Sequence, residues 1–193
     1  MHNISISLLK EKELIGNKTA MSVIGVSTFA LLTWIGAYVY IPLDFTPVPI
    51  TLQTLFVFLS GAILGKRLGA ISQAAYLGMG VLGMPIFTAG GFGALYVLGP
   101  TGGYILGFIV SSWLIGYMIR KNDAIGSIIT AFVSGATVIF ALGAGWLVFG
   151  LGLNIKQAFF LGVLPFIPGC IIKIAIATII TKNYLKRARQ IFS

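Results

Sequence analysis

Few side chains in this sequence can do chemistry, and they are scattered. One histidine, His2, lies near the terminus and one cysteine, Cys170, stands alone, so neither an internal disulfide nor a His/Cys metal site can be assembled. The four carboxylates, Glu11, Glu13, Asp44 and Asp123, fall outside the long apolar stretches. That removes the paired acids which hydrolysis by general acid and base, or a carboxylate proton relay, requires. Gly90-Gly91-Phe92-Gly93 has the glycine density of a phosphate loop but lacks the Gly-Lys-Ser/Thr ending and the strand-to-helix setting. No enzyme and no cofactor are therefore expected, and any ATP hydrolysis belongs to a partner. There remains one cation inside an apolar stretch. Lys173 stands between Ile171-Ile172 and Ile174-Ala175, with Cys170 three residues before it. An ionisable group in such a place is a functional candidate by default, although a lysine stem can also snorkel to the surface.

The elements that must position Lys173 follow from composition. The 193 residues are 58% hydrophobic and 9% charged, with a mean hydropathy of +1.01; a soluble domain carries about 25% charged residues. Uncharged runs cover Thr19 to Leu43, Phe45 to Gly65, Leu68 to Ile119 and Ala124 to Ile155, and a crossing helix needs about 20 apolar residues. Proline and glycine punctuation divides these runs into an all-α integral membrane protein of six transmembrane helices. The helices are Met21 to Ile41, Ile50 to Gly65, Leu68 to Gly83, Thr101 to Ile119, much of Ala124 to Phe149, and Pro168 to about Tyr184. Helices two and three are short for a full span, so loops dipping toward the membrane are expected beside them. The chain reads as one membrane domain over 1–193: a cytoplasmic N-terminal segment 1–20, a six-helix bundle 21–184, and a basic cytoplasmic tail 185–193. The N-terminal segment lacks the short apolar core of a cleaved signal.

Charge sets the expected orientation. Thirteen Lys and Arg against four Asp and Glu give a formal +9, which on one surface would suggest a nucleic-acid partner. The cations are instead spread between the apolar runs, and with six helices and the N-terminus inside, eleven of the thirteen fall on the cytoplasmic side. Both termini are then cytoplasmic. The external loops become Pro42 to Pro49, Met84 to Pro100 and Gly150 to Ile167, and Lys173 sits near the outer end of helix six. Thr51, Gln53, Tyr96 and Tyr104 share that outer leaflet, an arrangement suited to a small-molecule pocket with aimed polar groups. Thr51 and Gln53 serve equally well as contacts in such a pocket or in a bland role, as a helix cap or interhelical hydrogen bonds. Tyr96, Tyr104 and Trp113 fit an interfacial aromatic belt better than a ligand site. Gly61, Gly65 and Gly69, and Gly99, Gly103 and Gly107, recur at the four-residue spacing that lets helices approach closely.

Three strings carry a resemblance: Pro47-Val48-Pro49-Ile50-Thr51-Leu52-Gln53-Thr54-Leu55-Phe56, Gly65-Lys66-Arg67-Leu68-Gly69-Ala70, and Gly90-Gly91-Phe92-Gly93 followed by Gly99-Pro100-Thr101-Gly102-Gly103-Tyr104. Together, and in this order, they resemble the BioY family, the biotin-binding S components of energy-coupling factor (ECF) vitamin transporters. The resemblance implies an S-component bundle in the plasma membrane that captures biotin outside. It implies as partners a transmembrane T protein and two cytoplasmic ATPases. It also implies a ligand site drawn from Lys173, Cys170, Gln53, Thr51, Gly91, Phe92, Tyr96 and Tyr104. Small residues on helix one, here Ala20, Ser22, Gly25 and Ser27, are typical of the docking face. One position departs from the pattern: the family usually carries Pro-Gly-Asp-x-x-Lys where this chain reads Pro168-Gly169-Cys170-Ile171-Ile172-Lys173. An acid and a lysine three apart share a helix face, and Cys170, a weak donor and acceptor, leaves Lys173 without that acid. A less comfortable burial of the ammonium is expected.

Overall fold

A computed structural model describes residues 18–122 and 124–192. His2, Glu11, Glu13, Asp123 and most of the expected N-terminal segment lie outside the described residues. Helices α1 (Lys18–Tyr38), α2 (Gln53–Val81), α4 (Gly102–Lys121), α5 (Ile125–Phe149) and α7 (Ile167–Phe192) form the bundle. Two short helices, α3 (Ala94–Leu98) and α6 (Ile155–Gly162), lie in stretches read from sequence as loops.

Helix α2 makes two crossings. At Gly65 the backbone takes φ 79° and ψ −179°, a conformation that side chains resist and glycine accepts. In one straight helix residues 53 and 76 would stand about 35 Å apart, yet Gln53 Nε2 lies 2.7 Å from the Tyr76 hydroxyl. The legs 53–64 and 66–81 are therefore antiparallel, as the two short helices expected from sequence require. Six segments thus run back and forth: α1, the two legs of α2, α4, α5 and α7. The first leg is short because it is internal. Leu55, Val57, Phe58, Leu59, Ala62 and Leu64 are all buried, so this leg has little lipid to match.

The helices meet through small residues and buried polar pairs, which replace the hydrophobic drive that lipid cannot supply. A Cβ on Gly61 would fall against the Ser112 carbonyl, and one on Gly103 against Trp146 and the Leu142 carbonyl. A Cβ on Gly107 would stand 3.1 Å from the Ile139 Cα. Gly65 is a turn and Gly99 lies beyond its helix, so each ladder contributes two of its three glycines to packing. In the middle of the bundle Gln73 donates to Ser60 at 3.2 Å, Ser60 pairs with Ser112 at 2.9 Å, and Thr33 donates to Gln73 at 3.3 Å. These four side chains are fully buried, and they tie α1, both legs of α2 and α4. Outside, Val23, Ile24, Ile129, Val133, Ile171, Ile172 and Ile179 are exposed, the surface expected of helices that face lipid.

Three boundaries differ from the sequence reading. Helix one ends at Tyr38 and helix two begins at Gln53, because Tyr40–Ile41 (β1) and Ile50–Thr51 (β2) pair as a two-residue antiparallel ladder, Tyr40 with Thr51 and Ile41 with Ile50. Extended backbone suits β-branched and aromatic residues flanking a proline-rich turn. The expected tail 185–193 is helical to Phe192, with Leu185 and Ala188 buried and Lys186 and Arg187 exposed. Gly25, read with an outward docking face, points inward, where a Cβ would meet Leu64 and Phe192.

Candidate functional site

A cavity of about 670 Å³, counting the space at its mouth, lies between the first leg of α2, α4, α5 and the start of α7. Its floor and sides are Phe58, Ile105, Phe108, Ala136, Ile139 and Phe140; Tyr96 comes from α3, and Val48, Thr88 and Phe166 from the segments joining the long helices.

Among the described residues Lys173 is the one cation on this wall, and no carboxylate lines it. Its Nζ donates to the Thr51 carbonyl at 2.6 Å and to Thr54 Oγ1 at 2.8 Å. The ammonium therefore has fixed partners although the acid is missing. The partners are neutral, so they hold the charge in place without cancelling it. The ladder between β1 and β2 makes this possible: pairing of Thr51 with Tyr40 sets the backbone whose carbonyl receives Lys173. Cys170 is buried one turn earlier on the same wall.

A second set of polar groups is locked into the protein. Thr51 Oγ1 donates to Gln53 Oε1 at 2.9 Å, Gln53 Nε2 donates to Tyr76, and the Tyr76 hydroxyl donates to the Ile86 carbonyl at 3.0 Å. Thr88 also reaches Gln53 Oε1, at 3.5 Å. This relay ties the start of α2 to the segment after Val81, so Gln53 braces the loop over the cavity. Tyr104 donates to the Gly162 carbonyl at 2.7 Å. Its ring occupies the place where a Cβ on Gly143 would stand.

Six of the eight residues singled out from sequence line the cavity: Thr51, Gln53, Tyr96, Tyr104, Cys170 and Lys173. Gly91 and Phe92 do not. Phe92 is 60% exposed, and Gly91 backs the Tyr96 ring, which a Cβ there would strike. Tyr104 is 7% exposed, so the belt reading fails for it, and Tyr96 stacks on Phe87 with ring centroids 5.0 Å apart. Trp113 is exposed on α4 and stacks on Tyr117. Sequence reasoning passed over Thr54, Thr88 and Tyr76. Thr54 stands three residues after Thr51, the one signal that could have found it.

The cavity suits a solute with an acceptor or anionic group for Lys173, an apolar body for the aromatic walls, and small polar groups within reach of the threonines. A model of the BioY family matches residues 10–190 of this chain. The biotin transporter BioY of Thermotoga maritima is 38% identical over 158 residues, covering 82% of this chain and 92% of that protein. A probable biotin transporter BioY of Pyrococcus horikoshii is 40% identical over 158 residues, with the same two coverages, 82% and 92%. The crystal structure of the S-component for biotin from an ECF-type ABC transporter superposes with a TM-score of 0.81 at 29% identity, over 88% of this chain and 93% of that one.

Proposed function

The chain belongs to the BioY family, and from that premise we propose that it is the biotin-binding S component of an ECF-type transporter and a multi-pass membrane protein. One observation carries the reading at the level of residues: a single fixed cation, Lys173, in an otherwise neutral aromatic cavity. Lys173 is the charged contact for the vitamin, Thr51 and Thr54 hold its ammonium, and Gln53 supports the loop above. Cys170, Tyr96 and Tyr104 complete the wall that biotin touches.

The basic residues support an orientation. Lys66, Arg67, Arg120 and Arg189 gather at the end of the bundle opposite the cavity, and cations accumulate on the cytoplasmic side. The cavity then opens outside the plasma membrane and both termini are cytoplasmic. Transport is completed with a transmembrane T protein and two ATPases, which supply the ATP hydrolysis.

A thermal-shift screen of the detergent-solubilised chain against water-soluble vitamins tests the specificity. A ligand that binds only the folded state raises its stability by mass action. Biotin is expected to raise the melting temperature and the other vitamins to leave it unchanged. A shift with a different vitamin alone would keep the S-component reading and overturn the substrate. No shift with any vitamin would overturn both.

Cys170→Asp offers a second measurement. An aspartate one turn before Lys173 would restore the acid that the family usually carries and add an acceptor for donors on the ligand. The variant is expected to bind biotin at least as tightly as the present chain by isothermal titration. A clear loss of affinity would show that the cavity is built around the thiol.

A further inference from the structure

At the end of the bundle opposite the vitamin cavity, the chain turn at Gly65 and the ends of α4 and α7 enclose a second hollow with about 1360 Å³ of space, open mouth included. Lys66, Arg67, Arg120 and Arg189 line it. Two of them have contacts within the wall: Lys66 Nζ lies 5.6 Å from the centre of the Tyr117 ring, and Arg189 donates to the Ile119 carbonyl at 2.9 Å. The rest of the wall is apolar and includes Leu64, Leu68, Ile119 and Leu185. Cations at a rim above a greasy wall fit a molecule that is anionic at one end and hydrocarbon at the other.

We propose that this hollow is a binding site for an anionic glycerophospholipid, with its phosphate on Lys66, Arg67 and Arg120 and the start of its acyl chains along the Leu64–Leu185 wall. Basic hollows between helices at a membrane surface attract such headgroups. Free phosphate matches only half of the lining. The N-terminal segment is a poor rival, because its Glu11 and Glu13 alternate with Lys10 and Lys12 and Lys18 follows, so it brings no net negative charge. Among the described residues the lone carboxylate, Asp44, belongs to the turn between β1 and β2 at the vitamin end.

Native mass spectrometry of the full chain, titrated with phosphatidylglycerol and with phosphatidylcholine, tests the site. The chain is expected to bind phosphatidylglycerol at least tenfold more tightly than phosphatidylcholine. The Lys66→Gln/Arg67→Gln/Arg120→Gln variant is expected to lose that preference. Its biotin-induced thermal shift should stay intact, since none of the three residues lines the vitamin cavity; Arg120→Gln alone, losing part of the preference, serves if the triple variant does not fold. Equal binding of the two lipids, or an undiminished preference in the variant, would overturn the proposal. Displacement of phosphatidylglycerol by equimolar inorganic phosphate would reassign the hollow to a free anion, and displacement by an oligoglutamate peptide to an acidic protein segment. The lipid readout needs no vitamin, so its failure is separate from failure of the biotin assignment.

Discussion

Lys173→Ala is expected to weaken biotin binding by about two orders of magnitude, roughly 2.7 kcal/mol. Hydrogen bonds to a charged group contribute about 1.5–3 kcal/mol, and no second cation among the described residues lines this cavity to take over. The unliganded variant should melt no lower than the parent, because removing a charge that has only neutral partners relieves desolvation as well as deleting two hydrogen bonds. Lost binding with unchanged melting separates a ligand contact from a structural lysine; titration calorimetry and thermal unfolding on one sample give both numbers. Thr54→Val should fall between the two, since the ammonium keeps the Thr51 carbonyl but loses the hydroxyl. Unaltered affinity in Lys173→Ala would remove the residue from the site.

Gly61→Val is expected to cost the most stability of any change considered. Its Cβ falls against the Ser112 carbonyl, with Ile115 Cβ only 3.1 Å away. Backbone cannot swing aside as a flexible side chain can. Over-packing a tight core costs about 1–3 kcal/mol and occasionally more, and the upper end corresponds to a fall in melting temperature of roughly 6–12 °C for a chain of this size. Gly145→Ala is the control, because nothing lies within 4 Å of a Cβ there. Alanine in an open helical position should leave stability unchanged or raise it by about 0.5–1 kcal/mol. Similar melting of the two variants would mean that α2 and α4 are not packed as closely as described.

The contrast between these glycines shows what was legible in the sequence. Charge-free runs broken at Lys66-Arg67 and Arg120-Lys121 fix where the chain turns, so six segments and their order could be read directly. Hydropathy, however, reports where lipid stops and not where a helix stops. Beyond Tyr184 the last helix continues as an amphipathic one, with Leu185, Ala188 and Phe192 turned inward and Lys186 and Arg187 outward. Lys173 could be found because a charge among isoleucines is conspicuous. Tyr76 could not, because its role depends on the reversal at Gly65, which brings it to Gln53 across 23 residues. Gly91 and Phe92 do not line the cavity, because a motif records that a loop is shaped in a particular way without recording which of its residues face inward. Gly91 makes room for Tyr96, and it is Tyr96 that meets the cavity.

The turn at Gly65 also bears on how the protein is made. A leg of 12 residues with Gln53 and Ser60 among them is too short and too polar to halt in a bilayer by itself; stretches of 10–14 apolar residues are more often buried or re-entrant than spanning. Residues 53–81 should therefore enter the membrane as one hairpin, with Lys66 and Arg67 at its bend. The first leg can reach its place only once α4, which it packs against through Gly61, has left the ribosome. Assembly of the vitamin site then waits on the later half of the chain.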